Sequence, residues 1–250
     1  MRVEPSAGDA KRVVLVTGGS RGIGAAIATQ LARRNCRVAC TYRTGVDEVQ
    51  ELARQAPPGL IAAVPYDLGD PASAGSAVDA TVAEFGAIDS IILNAGVWSG
   101  GLLADMDPDA WWGVIERNLR GTAAITRAAL PYLRKSDSPS VVVVSSVVGI
   151  IGTAGDTAYG SAKAATIGFA RSLAKEVARE GIRVNVLAPG FVETDMTSQV
   201  SDGARARIEQ ATILGRFGTA DEIASAAVFL SEDATFCTGS ILVADGGWSI

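Results

Sequence analysis

The sequence predicts a single α/β domain of the Rossmann type, with a seven-stranded parallel sheet and helices on both faces. Three observations carry that prediction. Seven short apolar runs alternate with helix-like segments from one end of the chain to the other, the pattern that strand–helix–strand units produce. The runs are continuously apolar rather than alternating, as Val141-Val142-Val143-Val144 illustrates, which suits strands covered on both faces. No Pro- or Gly-rich linker and no repeat divides the 250 residues.

The strands expected in order are 13–16, 37–41, 61–64, 90–93, 141–144, 184–187 and 241–243. The helical segments between them include 22–34, 72–85, 108–133, 157–179 and 220–230. Residues 1–10 are polar, lack the apolar stretch of a secretory signal and read as a loose tail, so a cytoplasmic protein is expected. Residues 195–210 are polar, contain Gly203 and fall between the sixth strand and the next helix. They read as a loop that shapes a substrate pocket and moves when no ligand is present.

The totals exclude several function classes. The net charge is −5, with 22 basic and 27 acidic residues interleaved, which argues against a nucleic-acid partner. No run of eighteen apolar residues exists to cross a membrane. Cys36, Cys40 and Cys237 are odd in number and lack metal-ligand spacing, so no metal is expected and the first two read as reduced core residues. The chain has no histidine, which excludes a Ser-His-Asp triad and any His-ligated metal. Acid–base chemistry here must use other groups.

In an open parallel sheet, ligands bind outside the carboxyl ends of the strands. Chemically suggestive residues follow six of the seven runs at that edge: the loop with Gly18, Ser20, Arg21, Gly22, Ile23 and Gly24; Tyr42-Arg43; Asp67-Leu68; Asn94-Ala95-Gly96; Ser145-Ser146; and Pro189-Gly190. The glycines allow a sharp turn and close approach to a pyrophosphate, whose charge meets amide N–H groups at the next helix start. Their spacing is Gly-x-x-x-Gly-x-Gly, and an ordinary strand–helix turn is the plainer reading. After the second run there is no acid until Asp47, where a carboxylate would select a 2′-hydroxyl. Arg43, with Arg21 in reach, favours a 2′-phosphate and so NADPH/NADP+.

Tyr159 and Lys163 are four residues apart on one helix face. An ammonium beside a phenol favours the phenolate and lowers its pKa, which makes a proton donor tuned for a carbonyl or alcohol. Ser146, at a strand end, is placed to offer a hydroxyl to the same oxygen. The plainer reading is a core-edge tyrosine with a solvated lysine, and only context separates the two.

Taken together, Thr17-Gly18-x-x-x-Gly22-x-Gly24, Asn94-Ala95-Gly96, Asn118, Ser146, Tyr159-x-x-x-Lys163 and Pro189-Gly190 resemble the classical short-chain dehydrogenases/reductases in order and spacing across almost the whole chain. Within that family, Arg183 to Met196 and Thr238 to Gly247 resemble bacterial 3-oxoacyl-(acyl-carrier-protein) reductases. The resemblance implies an NADPH-dependent ketoreductase in which Tyr159 protonates the ketone oxygen. Lys163 would lower the tyrosine pKa and bind the nicotinamide ribose, Ser146 would bind the carbonyl, and Asn118 would hold a water. It further implies Asp67 at the adenine, Asn94 and Gly96 along the adenosine, and Val192 and Thr194 at the nicotinamide end. A homotetramer is implied as well.

The chain departs from that pattern at the entrance. Basic side chains that would meet an acidic acyl carrier protein are replaced by Ser136-Asp137-Ser138-Pro139-Ser140 and Arg179-Glu180-Gly181, leaving Arg134, Lys135 and Arg179 nearby. A small-molecule ketone, a polyketide-type substrate, an alcohol or sugar oxidised in reverse, and a non-catalytic NADP(H)-sensing module stay open beside the carrier-bound substrate. Trp98 suits either the pocket or a packed surface, whereas Trp111 and Trp112 suit core or subunit packing.

Overall fold

The computed structural model describes residues 11–198 and 200–250, so the tail expected at 1–10 lies outside the described residues. Seven strands form one sheet in the order β3-β2-β1-β4-β5-β6-β7, every pair parallel. They are β1 (Val13–Val16), β2 (Arg37–Tyr42), β3 (Ile61–Pro65), β4 (Ser90–Leu93), β5 (Ser140–Val144), β6 (Arg183–Pro189) and β7 (Ile241–Ala244). The chain runs outward from β1 to β3, then returns to place β4 on the other side of β1. That reversal opens a crevice at the carboxyl ends of β1 and β4.

Both faces of the sheet are covered, as the continuous apolar runs require. Val13 and Leu15 face one core with Ile91, Val141 and Val143, while Val14 and Val16 face the other with Val38, Ile92 and Val142. The first core is closed by α3 (Ser73–Phe85), α4 (Pro108–Leu133) and α6 (Thr157–Glu176). The second is closed by α1 (Gly22–Arg33), α2 (Val46–Gln55) and α8 (Ala220–Val228). Among the described residues, no helix is long and apolar enough to cross a membrane.

Three helices lie outside those expected: α2, α5 (Val148–Ile151) and α7 (Asp202–Ala211). In α2 only Val49 is fully buried, and α7 buries no residue fully, so their apolar signals are weak. Residues 195–210 are therefore not a loop throughout; Ser201 caps α7 by accepting from the Ala204 N–H. The expected helix 157–179 ends at Glu176 and is followed by a 3-10 turn, Ala178–Glu180. The expected helix 220–230 ends at Val228 in a π turn, Phe229–Asp233. This turn brings the Ser231 hydroxyl within 2.8 Å of Ser90, itself 2.7 Å from Ser140, beneath the sheet. The tryptophan pair divides: Trp111 is partly buried and donates to Thr157, whereas Trp112 is 62% exposed and adds nothing to this chain's core.

Helix α4 starts where Asp107 accepts from the Ala110 N–H at 2.9 Å, with Pro108 in the first turn. Asp107→Ala is expected to lower unfolding stability by about 1 kcal/mol in urea titrations. An unchanged midpoint would show that the cap contributes nothing.

Candidate active site

The crevice is braced before it is functional. Asn94, just past β4, donates its amide to the carbonyls of Thr17 and Gly18 at 3.0 and 3.2 Å, and the Ala95 N–H donates to the Thr17 hydroxyl at 2.9 Å. From the other side, Gly18 N–H donates to the Thr41 hydroxyl and Gly19 N–H to the Thr41 carbonyl. The glycine loop is thus pinned between β2 and β4. A side chain at Gly24 would place its Cβ 2.0 Å from the Gly18 carbonyl oxygen, and Gly22 has φ +53°. Both positions require glycine. Beside Gly22 stands Thr194, whose methyl would lie 3.3 Å from a Cβ there. The loop after β6 therefore reaches the start of α1. Pro189 ends β6, and Gly190 N–H donates to the Ala244 carbonyl. Thr194 and Thr197 hydroxyls both turn back to the Val192 carbonyl.

Tyr42 and Arg43 at the end of β2 line an open cavity of about 450 Å³ with Asp67, Asp70 and Ser73. Asp67 accepts from the Gly69 N–H at 2.8 Å, and Leu68 packs on the α3/α4 core. Arg43 is exposed and has no ion pair among the described residues. Arg21 does not join it: its guanidinium lies 3.4 Å from Asp195.

Tyr159, Lys163, Ser146 and Asn118 converge at the ends of β4 and β5. Lys163 is buried, donates to the Val144 carbonyl at 3.0 Å, and sits 5.6 Å from the Tyr159 ring centroid. The lysine is therefore not solvated. A Cβ at Gly96 would lie 3.3 Å from the Lys163 ammonium nitrogen and 3.0 Å from the Asn118 oxygen, so these three residues are neighbours. The Asn118 side chain donates to the carbonyls of Val97 and Val114, both at 2.8 Å, and accepts from the Val97 N–H. That amide holds the loop after β4 rather than reaching outward. Under Tyr159 lie Val114, Ala158 and Ala162, with Met106, Trp111 and Ile115 around them.

Comparison with known proteins fits this geometry. Residues 18–249 match the family model described as Enoyl-(Acyl carrier protein) reductase. The chain belongs to the short-chain dehydrogenase/reductase family. It is 42% identical to the 3-oxoacyl-(acyl-carrier-protein) reductase of Salmonella typhimurium over 94% of this chain and 96% of that one. To the Escherichia coli enzyme of the same name it is 41% identical over the same shares. Among solved structures, a short-chain dehydrogenase/reductase of Brucella melitensis described as a glucose/ribitol dehydrogenase superposes with TM-score 0.89. It is 30% identical, over 96% of this chain and 97% of that one.

As a short-chain dehydrogenase/reductase, the chain is a nicotinamide-dependent oxidoreductase, and its loop fits such a cofactor. Helix α1 begins at Arg21 with no side-chain cap and no acid in its first turn, leaving its leading N–H groups to an anion. The electrostatics of the acid–base pair depart from expectation. In this chain the Tyr159 phenol is held well above its usual range, first by burial and then by the Asp156 carboxylate, with a Ser146 hydrogen bond pulling it back. Burial pushes Lys163 down to about 8 from 10.5. The desolvation of both groups outweighs the mutual attraction of phenolate and ammonium.

Two supporting residues carry no motif signal of their own. The Ser145 and Thr166 hydroxyls both donate to the Lys163 carbonyl at 2.8 Å, fixing the lysine's turn of α6 against β5. Ser145 follows the fifth strand beside Ser146, and Thr166 is marked only by its place three residues after Lys163. Lys163 also gives a stability signature. Its folded pKa lies below its unfolded value, so between about pH 8 and 10.5 the unfolded chain binds the extra proton and this group's contribution to stability rises with pH. Urea unfolding is expected to show the wild type gaining stability relative to Lys163→Met between about pH 7 and about pH 9.5. An identical difference at both pH values would contradict this burial.

Proposed function

We propose that the protein is an NADPH-dependent ketoreductase acting on a 3-oxoacyl thioester. The observation that carries this reading is the buried Lys163 beneath Tyr159, at the same sheet edge as the uncapped start of α1. NADPH, when bound, supplies the hydride for the carbonyl carbon. Gly18 through Gly24 and the α1 amide groups cradle the pyrophosphate, with Thr194 beside them. Arg43 pairs with the 2′-phosphate, and Asp67 with Leu68 meets the adenine. Arg21 is tied to Asp195 and braces the loop after β6 instead.

Ser146 orients the ketone oxygen, and Tyr159 gives it the phenolic proton as the alkoxide forms. A phenol that resists ionisation is kept in its donating form through neutral pH. Lys163 lies close enough to stabilise the phenolate left behind, and its near-neutral pKa allows it to pass a proton back to that oxygen. Asn118 holds Val97 and so keeps the β4 loop under the reacting groups.

The similarity to the two bacterial reductases supports the thioester class. An acyl carrier protein is the carrier in their names, yet the surface here offers it little: Arg134 is tied to Glu180 by two hydrogen bonds of 2.8 and 3.1 Å. The second reading is a specialised ketoreductase for a bulky ketone. It is favoured by exposed apolar side chains on the segments that follow β4, β5 and β6: Trp98, Ile150, Ile151 and Met196. Phe236 and Ile250, almost wholly exposed, suit a homotetramer.

Tyr159→Phe is expected to lower kcat for acetoacetyl-thioester reduction by about 10²- to 10⁴-fold while NADPH binding persists. Undiminished turnover would remove Tyr159 from the mechanism. Arg43→Ala is expected to cut the preference for NADPH over NADH by about tenfold, a loss of about 1.4 kcal/mol of discrimination. Faster turnover of a bulky cyclic ketone than of the thioester would favour the second reading. NADPH binding without turnover on either would indicate a sensor.

A further inference from the structure

The segment from Gly96 to the first turn of α4 meets α6 on both sides of Tyr159. On one side, a Cβ at Gly96 would lie 3.3 Å from the Lys163 ammonium nitrogen, one turn further along the helix. On the other, three hydrogen bonds reach three successive residues at the helix start. The Gly101 N–H donates to the Gly155 carbonyl at 2.7 Å, and the Trp98 indole N–H to the Asp156 carboxylate at 2.7 Å. The Trp111 indole N–H, from the first turn of α4, donates to the Thr157 hydroxyl at 3.0 Å. Gly101 and Asp156 also pair as an isolated parallel bridge. So close an approach needs glycine. A Cβ at Gly100 would lie 2.6 Å from the Trp98 ring and 3.3 Å from the Gly155 carbonyl oxygen, and one at Gly101 would lie 2.8 Å from Met106.

We propose that Trp98 and Trp111 are positioning residues whose indole N–H groups fix the first turn of α6, and with it Tyr159. This rests on the reading of Tyr159 as the proton donor. Asp156 holds the capping position of α6 but does not cap it, because its carboxylate is taken up by Trp98. A helix start without its own cap opens readily. Here the restraint comes from outside the helix, two residues before the phenol at Thr157 and three before it at Asp156. Trp111 and Tyr159 pack on the same small cluster of Val114, Ala158 and Ala162, so ring packing and the hydrogen bond act on one turn. Proton transfer needs the phenol within hydrogen-bond reach of the ketone oxygen, and a misplacement of about 1 Å costs up to about 10²-fold in rate. Loosening this turn therefore lowers kcat and leaves the glycine loop, on another helix, untouched.

The test pairs turnover with amide hydrogen exchange in the full chain, which needs no substrate. The Gly160 N–H, donating to the Asp156 carbonyl, closes the first turn and reports its opening. Trp98→Phe and Thr157→Val each remove one indole hydrogen bond and keep most of the side chain's bulk. In each, Gly160 is expected to exchange about fivefold faster than in the wild type. The kcat for acetoacetyl-thioester reduction is expected to fall about tenfold with NADPH affinity unchanged. Thr157→Ser retains the hydroxyl and is expected to keep both at their wild-type values. Trp111→Phe combined with Thr157→Val should cost no more than the costlier single change, because both remove the same bond. Where Trp98→Phe does not fold, Asp156→Ala opens that bond from its other end.

Wild-type exchange at Gly160 in Trp98→Phe and Thr157→Val would overturn the proposal, as would fully additive losses for Trp111→Phe and Thr157→Val. Faster exchange with undiminished kcat, in a protein that Tyr159→Phe inactivates, would overturn it too. If Tyr159→Phe itself stays active, the proton-donor reading fails instead, and the exchange rates alone decide whether the indoles hold the turn.

Discussion

The burial of one ammonium is the constraint on which this site depends. Lys163 lies inside the protein with the Val144 carbonyl as its hydrogen-bond acceptor, and burial pulls its pKa down to about 8. Holding a lysine there costs free energy that a leucine would not. The Val144 carbonyl offsets part of that cost, and Ser145 and Thr166 hold the lysine's own backbone carbonyl. The clamp also fixes the turn of α6 that carries Tyr159. Packing a short α5 against α6 then sets Ser146 opposite the phenol.

The rest of the fold delivers partners to that lysine. A parallel sheet whose order reverses between β1 and β4 leaves their carboxyl ends facing a crevice. Asn94 and Thr17 close the crevice from inside, so the backbone of the glycine loop is rigid before any ligand arrives. On the far side Thr194 reaches Gly22, and Arg205 on α7 stacks over Phe217 at 4.3 Å while pairing with Glu193. Arg205 thereby ties α7 to the loop after β6 and to Phe217. Binding energy spent on the cofactor is not spent ordering the loop.

Much of this was legible in the sequence because the relevant signals are local. Continuous apolar runs marked all seven strands to within two residues at each end, and polar residues after six of them marked the edge where the candidate site lies. The failures share a physical cause. Helix α7 has no fully buried residue, so its period left no apolar trace in Asp-Gly-Ala-Arg-Ala-Arg. The π turn after Val228 exists to bring Ser231 beneath Ser90, a contact 141 positions apart that no local pattern announces. The approach of Arg21 to Asp195, 174 positions away, is likewise announced by no local pattern. The expected lowering of Tyr159 by Lys163 assumed water-like surroundings; burial and Asp156 reversed the balance.

Hydride transfer at this edge of the sheet separates a reductase from a module that only holds a nucleotide. The most direct measurement is a single turnover of stoichiometric enzyme with NADPH deuterated at C4 of the nicotinamide, in each stereochemical form, and a 3-oxoacyl thioester. The predicted result is a 3-hydroxyacyl product carrying deuterium at C3 from one of the two forms. Stoichiometric NADPH binding with no labelled alcohol from either form would contradict it.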